Sequence, residues 1–297
     1  MERKLIGEGK TKRIYRLEDN DAEIENIEQI TAGDGEKKDF LAGKDIIANN
    51  TTCNIFELLR VMRIGTHYKG RMSDKSFRAI ECKMIPLEVV IRRIATGSYL
   101  KRHPEVKEGT IFDPPEVEFF HKDDKLHDPF IVRKGPYWER YYPKKPTVCE
   151  NYIDEIKALC AEEEARSIEK TAREVFLVIE SAFRNVEIPV KLKDLTRAPI
   201  TLKDLKIEFG RDFYGQLIVA DVIDNDSWRI EDANGVELSK EGYRQGLDLE
   251  TVKNHYEIVS EITNAFKNLN QKTALIIGGL FFVLFFFLIC SLIFSFL

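Results

Sequence analysis

Apolar residues return along this chain in two rhythms, one helical and one alternating. Ile46, Ile47, Ile55, Phe56, Leu58 and Leu59 recur at mostly helical spacing, which predicts a helix over 43–63. Ile153, Ile156, Ile168, Ala172, Val175, Phe176 and Ile179 mark one or two amphipathic helices over 151–186. A third stripe, Leu249, Val252, Tyr256, Val259, Ile262, Phe266 and Leu269, predicts a helix over 248–269 that ends the globular part. Alternation governs elsewhere. Lys4-Leu5-Ile6 and Arg13-Ile14-Tyr15 read as short strands around "GEGKTK", and further short strands are expected around 77–92. Leu205 to Gly210 alternates so that Lys206 and Glu208 share one face, and Gln216 to Ala220 is a second, apolar strand. Asp212 to Gly215 form a polar turn between them, so a hairpin would bring Lys206, Glu208 and Asp221 together. The stretch 104–147, rich in Pro, aromatic and charged residues, reads as a long surface excursion to which the pattern assigns no regular structure.

Composition narrows the class. The 297 residues are 43% apolar and 32% charged, as in an ordinary globular protein large enough for a real core. A net charge of -5, with no block of basic residues, gives no electrostatic reason to expect nucleic acid as a partner. Cys53, Cys82, Cys149, Cys160 and Cys290 are widely spaced and form no zinc-site pattern, which suits free thiols in a reducing compartment. The charged start "MERKLIGEGK" has no apolar core of a signal peptide, so a cytoplasmic catalytic part is expected. The run 273–297 is different: uncharged throughout and about 25 residues long, it suffices at ~1.5 Å per residue to cross a hydrocarbon core of about 30 Å. It is a candidate transmembrane tail that would anchor the protein from the cytosolic side. The competing reading is a C-terminus that is not native to the fold.

Candidate chemistry gathers in a few loops. "VADVIDNDSWR" (Val219–Arg229) sets carboxylates behind an apolar strand; D-N-D is ordinary turn chemistry. With Lys206 and Glu208 nearby it also suits Mg²⁺ and a nucleotide phosphate, because Mg²⁺ usually takes one or two carboxylates plus phosphate oxygens. "GEGKTK" lacks the spacing of a P-loop. Between two strands it fits either a plain Gly-rich turn or a flap over a nucleotide, with Gly7 and Gly9 allowing close approach and Lys10 and Lys12 neutralising phosphate. "TAGDG" (Thr31–Gly35) offers a hydroxyl and backbone donors to an anion, or is a D-G turn. In "IPLEVVIRRIATGSYLKR", a strand bearing Arg92 runs into the small turn Ala95–Ser98 and then Lys101 and Arg102, the form of a sugar-phosphate pocket.

Taken in order, "GKTK", "TAGDG", "IPLEVVIRRIATGS", "KDDKLHDP", "DLKIEFG" and "DVIDNDSWR" resemble the SAICAR synthetase family, most closely its animal-type form, over roughly residues 3–269. The resemblance implies an α+β, two-lobed fold, distantly like kinases and ATP-grasp ligases. A small β-rich nucleotide-covering lobe (1–92) and a larger α+β lobe (93–269) would be followed by the hydrophobic helix 273–297. It also implies a reaction in purine biosynthesis: ATP, L-aspartate and carboxyaminoimidazole ribotide (CAIR) give the succinocarboxamide SAICAR, ADP and phosphate. Gly9, Lys10, Lys12 and Lys206 would then meet ATP phosphates, and Lys83, Met84 and Ile85 its adenine. Glu208 and Asp221 would hold Mg²⁺. Arg92, Ser98 and Arg229 would bind the ribotide; Thr31, Gly33, Asp34 and the loop Lys122 to Asp128 would shape the aspartate and acyl-phosphate region, with Asp128 as base. Lys206 and Arg229 would also assist the chemistry, while Asp224 and Asp226 shape the loop presenting Arg229. Three departures stand out: the carboxylase domain commonly fused to animal members has no counterpart here, 129–150 looks expanded, and Lys203 replaces a usual apolar residue. Other readings are a different ATP-dependent small-molecule kinase or ligase, or a membrane-anchored nucleotide-binding protein without turnover.

Overall fold

The computed structural model describes residues 3–123, 128, 130–134, 137–141 and 162–268. A five-stranded antiparallel sheet is built from β1 (Lys4–Glu8), β2 (Lys12–Arg16), β3 (Asp21–Asn26), β6 (Tyr68–Arg71) and β7 (Ser76–Ile80), in the order β1-β2-β3-β7-β6. The hairpin β4 (Gln29–Ala32) and β5 (Lys37–Phe40) stands beside it and carries "TAGDG" at its tip. β8 (Lys83–Ile94) belongs to a second sheet with β9 (Ile111–His121), β10 (Phe130–Lys134), β11 (Tyr137–Tyr141), β12 (Thr201–Arg211) and β13 (Leu217–Ala220), in the order β11-β10-β9-β8-β12-β13. β14 (Trp228–Glu231) pairs with the first half of β12, and β13 with its second half, so β12 has neighbours on both edges. The boundary expected at 92–93 falls inside β8.

The strand β9 corrects the sequence reading of 104–147, to which the pattern assigns no regular structure. Pro114 and Pro115 argue against a paired strand, because proline cannot donate to a ladder. They are tolerated because the ladder with β8 is interrupted there, passing from Arg92 opposite Glu116 to Ile94 opposite Ile111 with no pair at either proline, and because among the described residues β10 pairs with β9 only at Phe119 and Phe120.

The predicted helices are found where the helical rhythm placed them. α1 spans Lys44–Val61, α3 Glu162–Asn185 and α5 Leu249–Asn264, with the short α2 (Ser98–Arg102) and α4 (Glu241–Arg244) between. Asp248 caps α5, its carboxylate accepting the Thr251 N–H at 2.9 Å. α3 packs its stripe of Ile168, Ala172, Val175, Phe176 and Ile179 against β8, β9 and β12, where Val89, Ile91, Leu205 and Ile207 close the core. Ile153 and Ile156 lie outside the described residues. α1 departs from its predicted face: Ile46 is exposed, whereas Asn49, Thr51, Thr52 and Asn54 are buried. The reason is its partner. Asn50 donates to Ser260 at 2.7 Å and Asn54 to Thr263 at 3.1 Å and Asn264 at 2.9 Å, so the α1–α5 contact includes side-chain hydrogen bonds that apolar periodicity does not record. Cys53 and Cys82 are free thiols, and the other cysteines lie outside the described residues. Among the described residues no helix is long and apolar enough to cross a membrane, and the run 273–297 lies outside them.

Candidate active site

The chemistry is set by strand register. Side chains alternate along a strand, so Asp204, Lys206 and Glu208 leave one face of β12 while Leu205, Ile207 and Phe209 enter the core behind it. Antiparallel pairing sets Arg92 opposite Asp204, Val90 opposite Lys206 and Glu88 opposite Glu208. Two carboxylates directly opposite repel. Lysines hold the pair: Lys206 Nζ donates to Glu88 at 2.5 Å, and Lys122 Nζ to Glu208 at 2.5 Å. Burial works against the charge of Glu208, yet Lys122, Lys12 and Lys206 outweigh it and hold its pKa below the usual range. For Lys206, burial is likewise outweighed, by Glu88 and Glu208, and its ammonium is held firmly.

The β1–β2 flap folds over this strip. Its Lys12 forms an ion pair with Asp221, the residue directly after β13. Burial pushes the Lys12 ammonium down to about 8, only partly opposed by Glu208. Asp221 adopts φ +65, a left-handed conformation that Asp tolerates better than most residues. Two carboxylates already facing ammonium groups are a donor set whose chemistry fits Mg²⁺ together with phosphate. Among the described residues no group of three or more His, Cys, Asp or Glu could hold a metal alone, so phosphate oxygens would complete the shell.

Behind Asp221 the loop is pinned from inside. The Asp226 N–H donates to Asp224 at 2.8 Å, and the Asp226 carboxylate takes the Tyr256 hydroxyl at 2.8 Å, Lys44 at 3.2 Å and Lys240 at 3.3 Å. Burial raises the Asp224 pKa, with the neighbouring Asp226 charge adding to it; Asp226 is held low because Lys240 and Lys44 outweigh its own burial. This supports the expected loop-shaping part of both residues.

A chain of alternating charges forms the opposite wall. Arg92, only 2% exposed, bonds Glu118 and, at 3.0 Å, Asp204, and its Nη2 lies 3.5 Å from the Ser98 hydroxyl. Glu118 also takes Arg102, which lies over Phe120 and Phe130 with its guanidinium 5.1 and 4.7 Å from the ring centroids. Arg229 Nη1 reaches Asp204 at 2.7 Å and its Nε reaches Glu241 at 3.1 Å, and Glu241 in turn takes Arg244 at 2.9 Å. Gly97 is required here: at φ +58, a Cβ on it would stand 2.9 Å from Arg229 Nη2.

Together these elements line one open cleft of ≈ 1050 Å³. It brings together Gly9, Lys10, Lys12, Thr31, Gly33, Arg92, Ser98, Lys122, Asp128, Lys206, Glu208, Asp221 and Arg229. The expected residues Lys83, Met84 and Ile85 do not line it; Ile85 is 1% exposed, its side chain in the core. The side chain of Asp34 is not among those described. Asp128 has φ +45, and its carboxylate accepts the Asp123 N–H at 2.9 Å. Sequence reading missed Glu88, Glu118, Asp204, Lys240 and Arg244. Glu88 and Asp204 sit on strand faces in step with Arg92 and Lys206, and that parity was the available signal; Glu118 had none, because its strand was not expected.

The chain has relatives among known proteins over most of its length. The family model described as SAICAR synthetase matches residues 5–264. A phosphoribosylaminoimidazole-succinocarboxamide synthase of Roseiflexus castenholzii is 41% identical over 275 residues, covering 89% of this chain and 97% of its own. One of Sulfurisphaera tokodaii is 40% identical, covering 86% and 97%. Among solved structures, the enzyme of that name from Ehrlichia chaffeensis superposes with a TM-score of 0.72 at 27% identity, covering 88% of this chain and 99% of its own. A SAICAR synthetase in complex with ADP gives 0.68 at 29% identity, covering 85% and 96%. Since that match runs from the flap through the metal-type strip to α5, the chain belongs to the SAICAR synthetase family.

Proposed function

We propose that this chain is an ATP-dependent ligase that joins L-aspartate to CAIR, giving SAICAR, ADP and phosphate in purine biosynthesis. The observation that carries the reading is one cleft in which a phosphate-type wall (Lys12, Lys206, Glu208, Asp221) faces an anion-type wall (Arg92, Ser98, Arg229).

A carboxylate is a poor electrophile. The γ-phosphoryl of ATP is therefore transferred to the ribotide carboxylate, and the aspartate amine displaces phosphate from the resulting acyl phosphate. Lys10 and Lys12 of the flap and Lys206 of β12 bind and orient the phosphates and offset the charge that gathers during transfer. Glu208 and Asp221 would hold Mg²⁺, which would supply positive charge against the phosphates. The adenine lies toward the outer end of β8, where Met84 is 40% exposed; Ile85 would act there through its backbone alone. Arg92 and Arg229, set by their shared hold on Asp204, fix the ribotide with Ser98, and the Thr31–Asp34 tip takes the aspartate. Asp128 accepts the ammonium proton that must leave before attack. In this arrangement the five-stranded sheet with its β1–β2 flap acts as the covering lobe and the second sheet, from β8 on, as the catalytic one. The run 273–297, by its length and lack of charge, would tether this machinery to a bilayer and takes no part in catalysis.

Incubation with ATP, L-aspartate and CAIR tests the reaction. Amide product and ADP are expected in equal amounts; ADP release that ignores aspartate, with no amide formed, overturns the reading.

A further inference from the structure

His67 contributes nothing to the cleft wall, yet its ring touches the residue on which the metal site depends. It is 2% exposed and set edge-on between Phe56, at 5.3 Å, and Phe77, at 5.6 Å. Its main chain is tied to β13: the His67 N–H donates to Val219 at 2.9 Å, and the Val219 N–H donates back to Gly65 at 3.0 Å. A second tie runs from the Ile80 N–H to the His67 carbonyl at 2.7 Å, fixing the residue to β7 as well. Ring and backbone are thus both held, and Nε2 comes to 2.9 Å from the Asp221 carbonyl oxygen. A carbonyl only accepts, so Nε2 must carry the hydrogen. Burial, assisted by the nearby Lys12 charge, keeps the imidazole neutral, at about 3.

The direction of this bond matters because Asp221 is a single residue in the left-handed region, at φ +65. Its carbonyl turns inward to His67 while its carboxylate turns outward to Lys12. Without a donor behind it, that inward carbonyl would lose its partner, and a left-handed Asp would have less to hold it there. We propose that His67 is a positioning residue whose Nε2–H clamps the Asp221 carbonyl and so holds the Asp221 carboxylate in place for the metal bound with nucleotide. This rests on the reading of Asp221 as a metal ligand. The sequence gives no hint of it, since a lone His after "GT" has no local partner.

The full-length protein is titrated with ADP, once with Mn²⁺ as a paramagnetic stand-in for Mg²⁺ and once in chelator, for wild type, His67→Leu, His67→Gln and Asp221→Asn. His67→Leu fills the aromatic box but removes the donor; Gln restores an N–H at about the same reach. His67→Leu is expected to weaken Mn²⁺–ADP binding by about tenfold or more, as loss of a residue supporting a metal ligand does, and metal-free ADP by less than about twofold. His67→Gln should recover most of the loss. Equal weakening with and without metal would show a merely structural residue and overturn the proposal, as would a Gln variant no better than Leu or a Leu variant no different from wild type. If Leu does not fold, His67→Asn, too short to reach the carbonyl, takes its place. Should Asp221→Asn bind Mn²⁺–ADP as wild type does, the metal reading itself fails and the clamp with it; a His67 failure beside a weakened Asp221→Asn sinks the clamp alone.

Discussion

At Glu208, Asp221 and Gly97, single atoms decide the outcome. Glu208→Gln and Asp221→Asn keep side-chain shape but remove an anionic oxygen from the strip that faces Lys12 and Lys122. Each should lower kcat on the order of a hundredfold or more and weaken Mg-ATP binding, with unchanged circular dichroism. Activity within a few-fold of wild type in both would remove them from the metal shell. Gly97 tests the other wall, since a methyl group there meets the Arg229 guanidinium and must also accept φ +58. Gly97→Ala should raise the ribotide KM by about tenfold, on the scale of a misplaced binding group, and leave the ATP KM nearly unchanged. Equal effects on both substrates would count against Arg229 as a ribotide ligand.

Two elements carry predictions of their own, the flap and the β8–β12 pair. Lys12 of β2 has a folded pKa lowered to about 8, so its ammonium is present below that pH and lost above it. The kcat/KM for ATP should therefore fall between about pH 8 and 9, and Lys12→Arg, which stays charged, should flatten that limb. A profile for Lys12→Arg that matches wild type would assign the titration elsewhere. Stability moves the opposite way. The unfolded chain, with Lys near 10.5, binds more protons than the folded one through that window, so this group adds resistance to unfolding as pH rises from 8 toward 10.5. In the strand pair, Arg92 bridges Glu118 and Asp204 from a position only 2% exposed. Arg92→Lys keeps the charge but cannot span both carboxylates, so it should cost a few kcal/mol of stability besides raising the ribotide KM. A melting temperature equal to wild type, with only the KM changed, would mean that the bridge contributes little.

For the whole molecule, the cleft depends on pieces that are far apart in sequence: the flap, the β4–β5 tip, strands β8, β9, β10, β12 and β14 of the large sheet and the loop behind β13. All the proposed ligands lie between Gly9 and Arg229, and the described core closes with Phe266, 3% exposed. Truncation after Asn270 should therefore leave turnover and melting temperature unchanged. The full-length protein should sediment with membranes and resist carbonate if 273–297 is an anchor. A soluble full-length chain whose truncation loses several kcal/mol would instead place the tail against the enzyme, since that is the scale of uncovering several Phe and Leu side chains.

Much of this was legible along the chain, because its causes are local. The 3.6 rhythm of 162–185 and 249–264, the alternation of Lys206 and Glu208 and the polar turn before Leu217 each follow from neighbours a few residues apart. The loop motifs were legible for the same reason, since turn chemistry is read within about six residues. What the chain could not display depends on register between distant strands. The strand 111–121 was hidden by its prolines until β8 was seen to pair with it on either side of them. Arg92 was read as a binding arginine, but its tie to Glu118 and Asp204 exists only because β9, β8 and β12 are aligned as they are. The polar face of α1 needed α5 to make sense, and His67 needed Asp221, which is 154 positions away. Sequence settles which face a side chain takes; only tertiary structure settles which charge it meets there, because ion pairs act over a few ångströms of space regardless of separation along the chain.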